Sequence, residues 1–307
     1  MAAQTVTPAK WVIVDDGSTD RTPELLRAAA DKYPFIQIHT RGDRGGRVVG
    51  AGVIDAFNAG LATVDLDDFD YVCKLDADLE MPPRYFERIL EEMERTPRLG
   101  NLSGKVYLRL DDGRLVLERM GDENAIGAAK FYRRECFREI GGFVCEAGWD
   151  GIDGHMCRLL GWIARSVDEE ELRIVHRRLM GSSHVGIWHG RKRWGRSKWF
   201  MGSAFYYIVA VSIYRLVERP FVVGGLGIFW GYVSAMLRGV ERYEFPGFRA
   251  ALRRFELFSL LRGKAAAVEA TSGEIHKKTR EQSASAAEAD RAQPTLSGVG
   301  ASDEPSN

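Results

Sequence analysis

The feature that most constrains this chain is an alternation of strand-like and helix-like segments between residues 11 and 109. The segments WVIVDD, FIQIHT and FDYVCKLDAD are rich in β-branched and aromatic residues. Between and after them stand TPELLRAAADKY, VIDAFNAGLATV and PPRYFERILEEMER, which have helical spacing. This alternation predicts an α/β sheet that binds its ligand at the carboxyl ends of its strands.

Two of these predicted strands end in paired acidic residues. Asp15 and Asp16 follow the first strand, and Asp76 and Asp78, one residue apart, follow the third. Acids at strand ends accept hydrogen bonds from a nucleotide's base or ribose, and residues two apart in an extended segment share one face. Because Mg²⁺ and Mn²⁺ favour carboxylate oxygens, the D-x-D turn predicts a divalent metal. The alternatives are a solvated acidic turn there and a helix cap at DDGSTD.

Composition narrows the class of protein. The 307 residues are 45% hydrophobic, enough for a sizeable core, and the net charge of zero gives nucleic acid no support as a partner. We expect four reduced, structural thiols, because Cys73, Cys136, Cys145 and Cys157 lack metal-ligand spacing. The first ten residues, MAAQTVTPAK, lack the apolar core of a signal peptide.

Five sequence motifs in a fixed order carry a resemblance to a known family. They are IVDDGSTDRTPELL, AFNAGLA, KLDADLEMPP, FYRRECFREIGGF and WDGIDGHMCRLLGW. From about residue 4 to residue 199 the chain resembles family 2 glycosyltransferases, which have the GT-A fold, a Rossmann-like nucleotide-diphospho-sugar transferase fold. The resemblance implies a nucleotide-diphospho-sugar donor, Mg²⁺ or Mn²⁺ at the D-x-D motif, and inversion at the anomeric carbon. The residues it implies for donor binding are Asp15, Asp16, Arg47 and Asp76, and for the metal Asp76 and Asp78.

An inverting transfer also needs a carboxylate that takes the proton of the attacking acceptor hydroxyl. The family usually supplies it from a Glu–Asp pair beyond the GGF motif, whereas this chain has WDGID. Counting forward from Phe143 favours Asp153, and counting back from Gly161 favours Asp150. We place Asp153 first and keep Asp150 as the alternative, with the other acid capping the helix.

The segment GIWHGRKRWGRSKWF mixes basic and aromatic residues, which is typical of a phosphate-binding or membrane-surface segment. Its Arg193 and Trp194 fit the end of the Q/R-x-x-R-W motif of processive polysaccharide synthases, but the first position of that motif is glycine. We take Arg191, Arg193 and Trp194 as candidates for phosphate or acceptor binding. His184 or His189 is a candidate for a further metal ligand.

Two uncharged stretches predict attachment to the cytoplasmic face of the cell membrane. They are Trp199–Tyr214 and Pro220–Leu237. The second stretch, if helical, is about 27 Å long, just short of a hydrocarbon core of about 30 Å. Spanning and interfacial attachment both stay open, as does a hydrophobic hairpin packed on the domain. Gly227 and Gly231 have GxxxG spacing, which suits close helix contact.

The chain divides into four predicted segments: a nucleotide-sugar-binding half (1–109), an irregular, partly helical acceptor-binding half (110–198), hydrophobic helices (199–263) and a disordered tail (264–307). Family members carry an apolar strand and a helix ahead of the DDGS turn, whereas here only MAAQTVTPAK precedes Trp11. We therefore expect a fold that lacks the usual first strand, with roughly 30–40 residues encoded upstream.

Three functions fit these patterns. The first is an inverting glycosyltransferase (a hexosyltransferase-type enzyme of polysaccharide biosynthesis) that acts on a glycan or lipid-linked acceptor. The second is an inactive or glycan-binding GT-A-like protein, and the third is a sugar-phosphate nucleotidyltransferase. The third lacks support because the glycine-rich, basic N-terminal loop of that class is absent from the sequence.

Overall fold

The computed structural model describes residues 1–42, 50–110, 112–118, 120–176, 186–218 and 221–273, which form ten strands and ten helices besides two short 3₁₀ turns. The strands are β1 (Trp11–Asp15), β2 (Ile36–Thr40), β3 (Tyr71–Leu75), β4 (Leu79–Glu80), β5 (Leu99–Gly104), β6 (Val106–Arg109), β7 (Leu115–Leu117), β8 (Ala129–Arg133), β9 (Ile163–Val167) and β10 (Ile174–His176). The helices are α1 (Thr22–Lys32), α2 (Ala51–Leu61), α3 (Tyr85–Arg95), α4 (Arg134–Glu139), α5 (Trp149–Leu159), α6 (Ile187–Met201), α7 (Phe205–Leu216), α8 (Val223–Leu237), α9 (Phe248–Arg262) and α10 (Lys264–Thr271).

The strands form three sheets within these ranges. Strands β1 and β2 pair in parallel, with Trp11 opposite Ile36. The main sheet has the order β3–β8–β5–β9, in which β8 runs antiparallel to β3 and β5, and β9 runs parallel to β5. A smaller sheet has the order β4–β10–β6–β7. The predicted α/β class is confirmed, as are the six strands and helices predicted between residues 11 and 95.

Strand β8 lies inside the main sheet, in a region that the sequence predicts to be irregular and partly helical. Its first four residues are all buried, so it lacks the alternation of buried and exposed positions that marks a half-exposed strand. The charged Lys130 also interrupts its apolar run. Burial on both faces therefore explains why periodicity missed this strand.

Strand β1 pairs with β2 alone among the described residues, and β3 is an edge of the main sheet. The segment before β1 packs near the start of α3. There the Gln4 amide donates to the carbonyl oxygen of Pro82 at 2.7 Å and accepts from the N–H of Phe86 at 3.3 Å. Among the described residues, β1 and β3 therefore lie in different sheets.

Two apolar cores cover the main sheet. One packs α2, α4, α5 and α9 around Tyr132 and Phe143. The other packs α3 against β5 and β8 around Leu102 and Phe131. The first core holds α5, which carries Asp150 and Asp153, against the sheet.

Helices α6 and α8 touch through glycines. A Cβ on Gly195 would lie 2.0 Å from the carbonyl oxygen of Ile228, and one on Gly231 would lie 2.1 Å from the carbonyl oxygen of Lys192. A Cβ on Gly227 would also lie 2.8 Å from α6. The close contact predicted from the GxxxG spacing is confirmed, and its partner is α6. The predicted division at residue 199 falls inside α6.

The two apolar stretches form separate helices, α7 of 12 residues and α8 of 15 residues. In the part of the chain that the structure describes, no helix combines the length and the apolar character needed to cross a membrane. Several large apolar side chains of α7, α8 and the segment between them are exposed to solvent. We call this set the apolar face: Ile213, Tyr214, Val217, Phe221, Leu226 and Trp230.

The predicted disorder from residue 264 is wrong for the first residues of that segment. Helix α10 packs on α5 and α9 with Ala267 and Thr271 buried, and Lys264 forms an ion pair with Glu123 at 2.5 Å. Helix α10 packs through small residues. Because it lacks large apolar side chains, its composition did not distinguish it from a disordered tail. Residues 274–307 lie outside the described part of the chain.

Candidate functional site

The first acidic turn lies where β1 ends beside β2. Asp15 is buried and its carboxylate accepts a hydrogen bond from the backbone N–H of Ser18 at 3.0 Å, so it holds the turn. Asp16 is exposed, and its carboxylate lies 3.6 Å from the guanidinium of Arg41, which also binds Asp55 at 2.9 Å. Of the two acids, Asp16 is therefore the one that a ligand can reach.

The two acids of the D-x-D motif have different partners. The ammonium group of the buried Lys74 contacts the Asp76 carboxylate and donates to the carbonyl oxygen of Gly127 at 2.8 Å. Asp78 instead contacts His176, the last residue of β10, with 3.2 Å between the carboxylate Oδ1 and the imidazole Nε2. Asp76 is thus held by Lys74, whereas the half-buried Asp78 pairs with the buried His176.

The pair of Asp78 and His176 fits a divalent cation. Adjacent ligands of an octahedral cation with bonds of about 2.1 Å lie about 3.0 Å apart, close to the 3.2 Å between the carboxylate oxygen and the imidazole nitrogen. The Asp78 side chain is 30% exposed, so solvent reaches the pair. Within the described ranges no group of three His, Cys, Asp or Glu side chains is placed to hold a metal. A cation here would take its remaining ligands from phosphates or water, as Mg²⁺ commonly does.

Helix α5 carries the two candidate bases in different surroundings. Asp153 is 2% exposed, and its carboxylate contacts the ammonium group of Lys130 and the hydroxyl of Tyr132. Burial raises the pKa of the Asp153 carboxyl above its ordinary value, and the neighbouring Lys130 opposes that rise. Asp150, in the first turn, is only half-buried and its carboxylate lies against Gly127. The structure therefore makes Asp150 the accessible acid, although the sequence placed Asp153 first.

The basic candidates lie in the bundle of α6, α7 and α8. The guanidinium groups of Arg191 and Arg215 lie 5.7 Å and 5.3 Å from the centre of the Trp194 ring. Burial and the nearby Arg215 lower the pKa of Arg191. Arg193 is half-buried, and His189 is exposed in the first turn of α6. Arg191 and Trp194 thus contact each other within α6, and Trp194 also contacts Arg215 of α7.

Two predicted residues, Arg47 and His184, lie outside the described residues. Two others were missed by the sequence analysis, namely His176 and Lys130. His176 ends a short β-branched run, RIVH, much as the D-x-D motif ends its strand. Lys130 is a lone lysine in the apolar run GAAKFY, and a charge in such a place is a sign of a buried ion pair.

Comparison with known proteins gives one family match and one curated relative. Residues 1–145 match the family described as Glycosyl transferase family 2. A beta-monoglucosyldiacylglycerol synthase from Synechocystis sp. is 23% identical over 205 residues, which make up 59% of this chain and 40% of that protein. The chain therefore spans less than half the length of this relative.

Two solved structures also align with the chain. A mannosyltransferase from Pyrobaculum calidifontis, in complex with GDP-Man and Mn²⁺, is 17% identical with a TM-score of 0.44, covering 87% of this chain and 78% of that one. GalNAc-T7 with UDP, GalNAc and Mn²⁺ is 14% identical with a TM-score of 0.49, and the alignment covers 82% of this chain and 52% of that one. Over residues 1–145, which include the acidic turns at the ends of β1 and β3, this chain is therefore similar to glycosyltransferase family 2.

Proposed function

We propose that the chain transfers a sugar from a nucleotide-diphospho-sugar donor to an acceptor hydroxyl, with inversion at the anomeric carbon. The observation that carries this proposal is the pair of Asp78 and His176 at the end of β3, where an α/β sheet binds its ligand. The match of residues 1–145 to glycosyltransferase family 2 supports the class of donor. The exposed Asp16 would accept hydrogen bonds from the nucleotide, while the buried Asp15 holds the turn.

Asp78 and His176 are the residues that would hold Mg²⁺ or Mn²⁺, with Asp76 beside them. A bound divalent cation stabilises the negative charge that develops on the departing diphosphate. Lys74 fixes the carboxylate of Asp76 next to the donor, because its own ammonium group is buried and bonded to the backbone.

Asp150 is the proposed base. The base must touch the acceptor hydroxyl and take its proton as the bond between the anomeric carbon and the diphosphate breaks. Asp153 is unsuited to this role because it is buried and both Lys130 and Tyr132 contact it. The half-buried Asp150 opens the same helix, and so we assign the role to it.

We also propose that the apolar face attaches the protein to a membrane at the cytoplasmic face of the cell. Large apolar side chains gathered on neighbouring helices mark an interaction surface, and Trp230 and Tyr214 of this face are residue types that favour the membrane interface. A lipid-linked acceptor fits such a surface. The name of the relative, a synthase of a glucosyldiacylglycerol, supports that acceptor over a free glycan.

A screen of nucleotide-sugars by thermal shift, with and without Mn²⁺ or Mg²⁺, tests the proposed function. We expect one donor to raise the Tm only when the metal is present, and to release its nucleoside diphosphate on incubation. Release of pyrophosphate from a nucleoside triphosphate and a sugar 1-phosphate would instead identify a sugar-phosphate nucleotidyltransferase. Glycan binding without any donor binding would identify an inactive GT-A-like protein.

A further inference from the structure

Two buried lysines lie opposite each other on adjacent strands of the main sheet, between the D-x-D turn and α5. Lys74 of β3 and Lys130 of β8 are register partners, and they are 4% and 0% exposed. Residues directly opposite in antiparallel strands have Cβ atoms about 4.5–5.5 Å apart. Two like charges that close, and that deep, persist only if other groups compensate them.

Each lysine is compensated by one acid and by the same aromatic ring. Lys74 contacts Asp76, and Lys130 contacts Asp153. Both ammonium nitrogens lie 5.3 Å from the centre of the Trp149 ring, and tryptophan is the aromatic side chain that attracts cations most strongly. Two lysines, two aspartates and one indole thus form an electrically neutral unit.

This unit joins the two halves of the site. Lys130 donates a hydrogen bond to the backbone carbonyl oxygen of Asp150 at 3.0 Å, and Lys74 donates one to the carbonyl oxygen of Gly127 at 2.8 Å. Gly127 in turn supports the Asp150 side chain, since a Cβ at this position would lie 3.2 Å from its Oδ2. Contacts therefore run from Asp76 through Lys74 and Gly127 to the side chain of Asp150, while Lys130 contacts the backbone carbonyl of Asp150.

We propose that Lys74, Lys130 and Trp149 are positioning residues that fix the carboxylate of Asp150 relative to the D-x-D turn. This inference rests on the proposed function, in which the base and the leaving diphosphate act on opposite faces of one carbon. Reacting atoms must lie about 3–3.5 Å apart for such a step, and a misplacement of about 1 Å costs on the order of a hundredfold in rate. Disturbing the part of the unit next to Asp150, namely Lys130 or the contact with Gly127, should therefore slow transfer without weakening donor binding.

The first test displaces the Asp150 carboxylate without removing any charged group. In Gly127→Ala the new Cβ would lie 3.2–3.3 Å from Asp150, so the acid must move by a few tenths of an ångström. The control is Gly151→Ala in α5, whose Cβ would meet the flexible end of Met201 at 2.9 Å. We expect Gly127→Ala to lower kcat about tenfold, with donor KM within about twofold and Tm close to that of the control.

The second test removes the lysine together with its acid. Lys130→Met alone leaves Asp153 buried and uncompensated, whereas Lys130→Met with Asp153→Leu removes both charges at similar volume, a change that buried ion pairs commonly tolerate. We expect this double variant to keep metal-dependent donor binding and to lose about tenfold or more in kcat, because the carbonyl of Asp150 has lost its donor.

The outcomes separate the two proposals. An unchanged kcat in Gly127→Ala, or in a folded double variant, would overturn the positioning role of the lysine unit. A fall in kcat that comes together with a lower Tm and a weaker donor affinity would also overturn this role, because it indicates a structural role alone. Absence of turnover with every donor in the unaltered protein would overturn the proposed function instead.

Discussion

Asp78 and His176 lie 98 positions apart in the chain, yet their side chains meet at 3.2 Å between the turn after β3 and the end of β10. If this pair holds the metal, Asp78→Ala should abolish Mn²⁺-dependent binding of a nucleoside diphosphate. His176→Ala should weaken that binding by at least about tenfold. Isothermal titration calorimetry with Mn²⁺ and a nucleoside diphosphate measures both effects.

The control for this pair is Asp112→Ala, an exposed acid that binds Arg114 in the turn between β6 and β7. It should bind the metal and the nucleotide as the unaltered protein does. Sugar transfer that persists in Asp78→Ala, or in an excess of chelator, would contradict the metal assignment.

The two acids of α5 should separate into a catalytic and a structural role. Asp150→Asn should abolish turnover and leave the donor Kd within about twofold, because the base contacts the acceptor. Asp153→Asn should lower the free energy of unfolding by up to about 3 kcal/mol, because it leaves the buried Lys130 uncompensated. Kinetics and urea unfolding measure the two quantities, and the reverse pattern would return the role to Asp153.

The apolar face should govern attachment to lipid. Leu226→Asp places a charge on this face, whereas Leu25→Asp places one on α1, at a leucine of similar exposure (52% and 60%). We expect the unaltered protein and Leu25→Asp to float with vesicles that contain anionic lipid, and Leu226→Asp to stay in the unbound fraction. If the unaltered protein itself does not float, the attachment proposal fails.

The four cysteines should differ in reactivity. Burial raises the pKa of the Cys73 thiol to about 12, and Cys136 and Cys157 are buried. Cys145 is exposed, and its thiol donates to the carbonyl oxygen of Ala51 at 3.3 Å. Iodoacetamide at neutral pH should modify Cys145 in the native protein and the other three only in denaturant, because the thiolate is the reactive form. Peptide mass spectrometry measures this order, and early modification of Cys73 would contradict it.

The parts of the molecule that the sequence predicted well are those with a local signal. The strand–helix alternation and the acids after β1 and β3 are written in consecutive residues, and they gave the α/β class and the turns of the site. Strand β8 carried no alternation because it is buried on both faces, and α10 packs through small residues. Consecutive residues do not show which distant side chains meet, so the contacts of His176 with Asp78 and of Lys130 with Asp153 were not predicted.

The choice between Asp150 and Asp153 shows the same limit. Both acids lie in the same turn of α5 and have similar sequence neighbours, and the motif spacing supported either of them. What distinguishes them is burial, which depends on how α5 rests on β8 and on which side chains of the sheet lie below it. Only the assembled structure contains that information.

The pairing of β1 with β2 alone, among the described residues, has a consequence for donor binding. A two-stranded sheet is marginally stable by itself, and this one is attached to the rest through side-chain packing such as that of Val14 against Gly60 of α2. Its backbone amides should therefore exchange with solvent deuterium faster than those of β5 and β8, through local opening. A nucleotide bound at Asp16 would slow that exchange, and part of its binding free energy would be spent on keeping this small sheet closed.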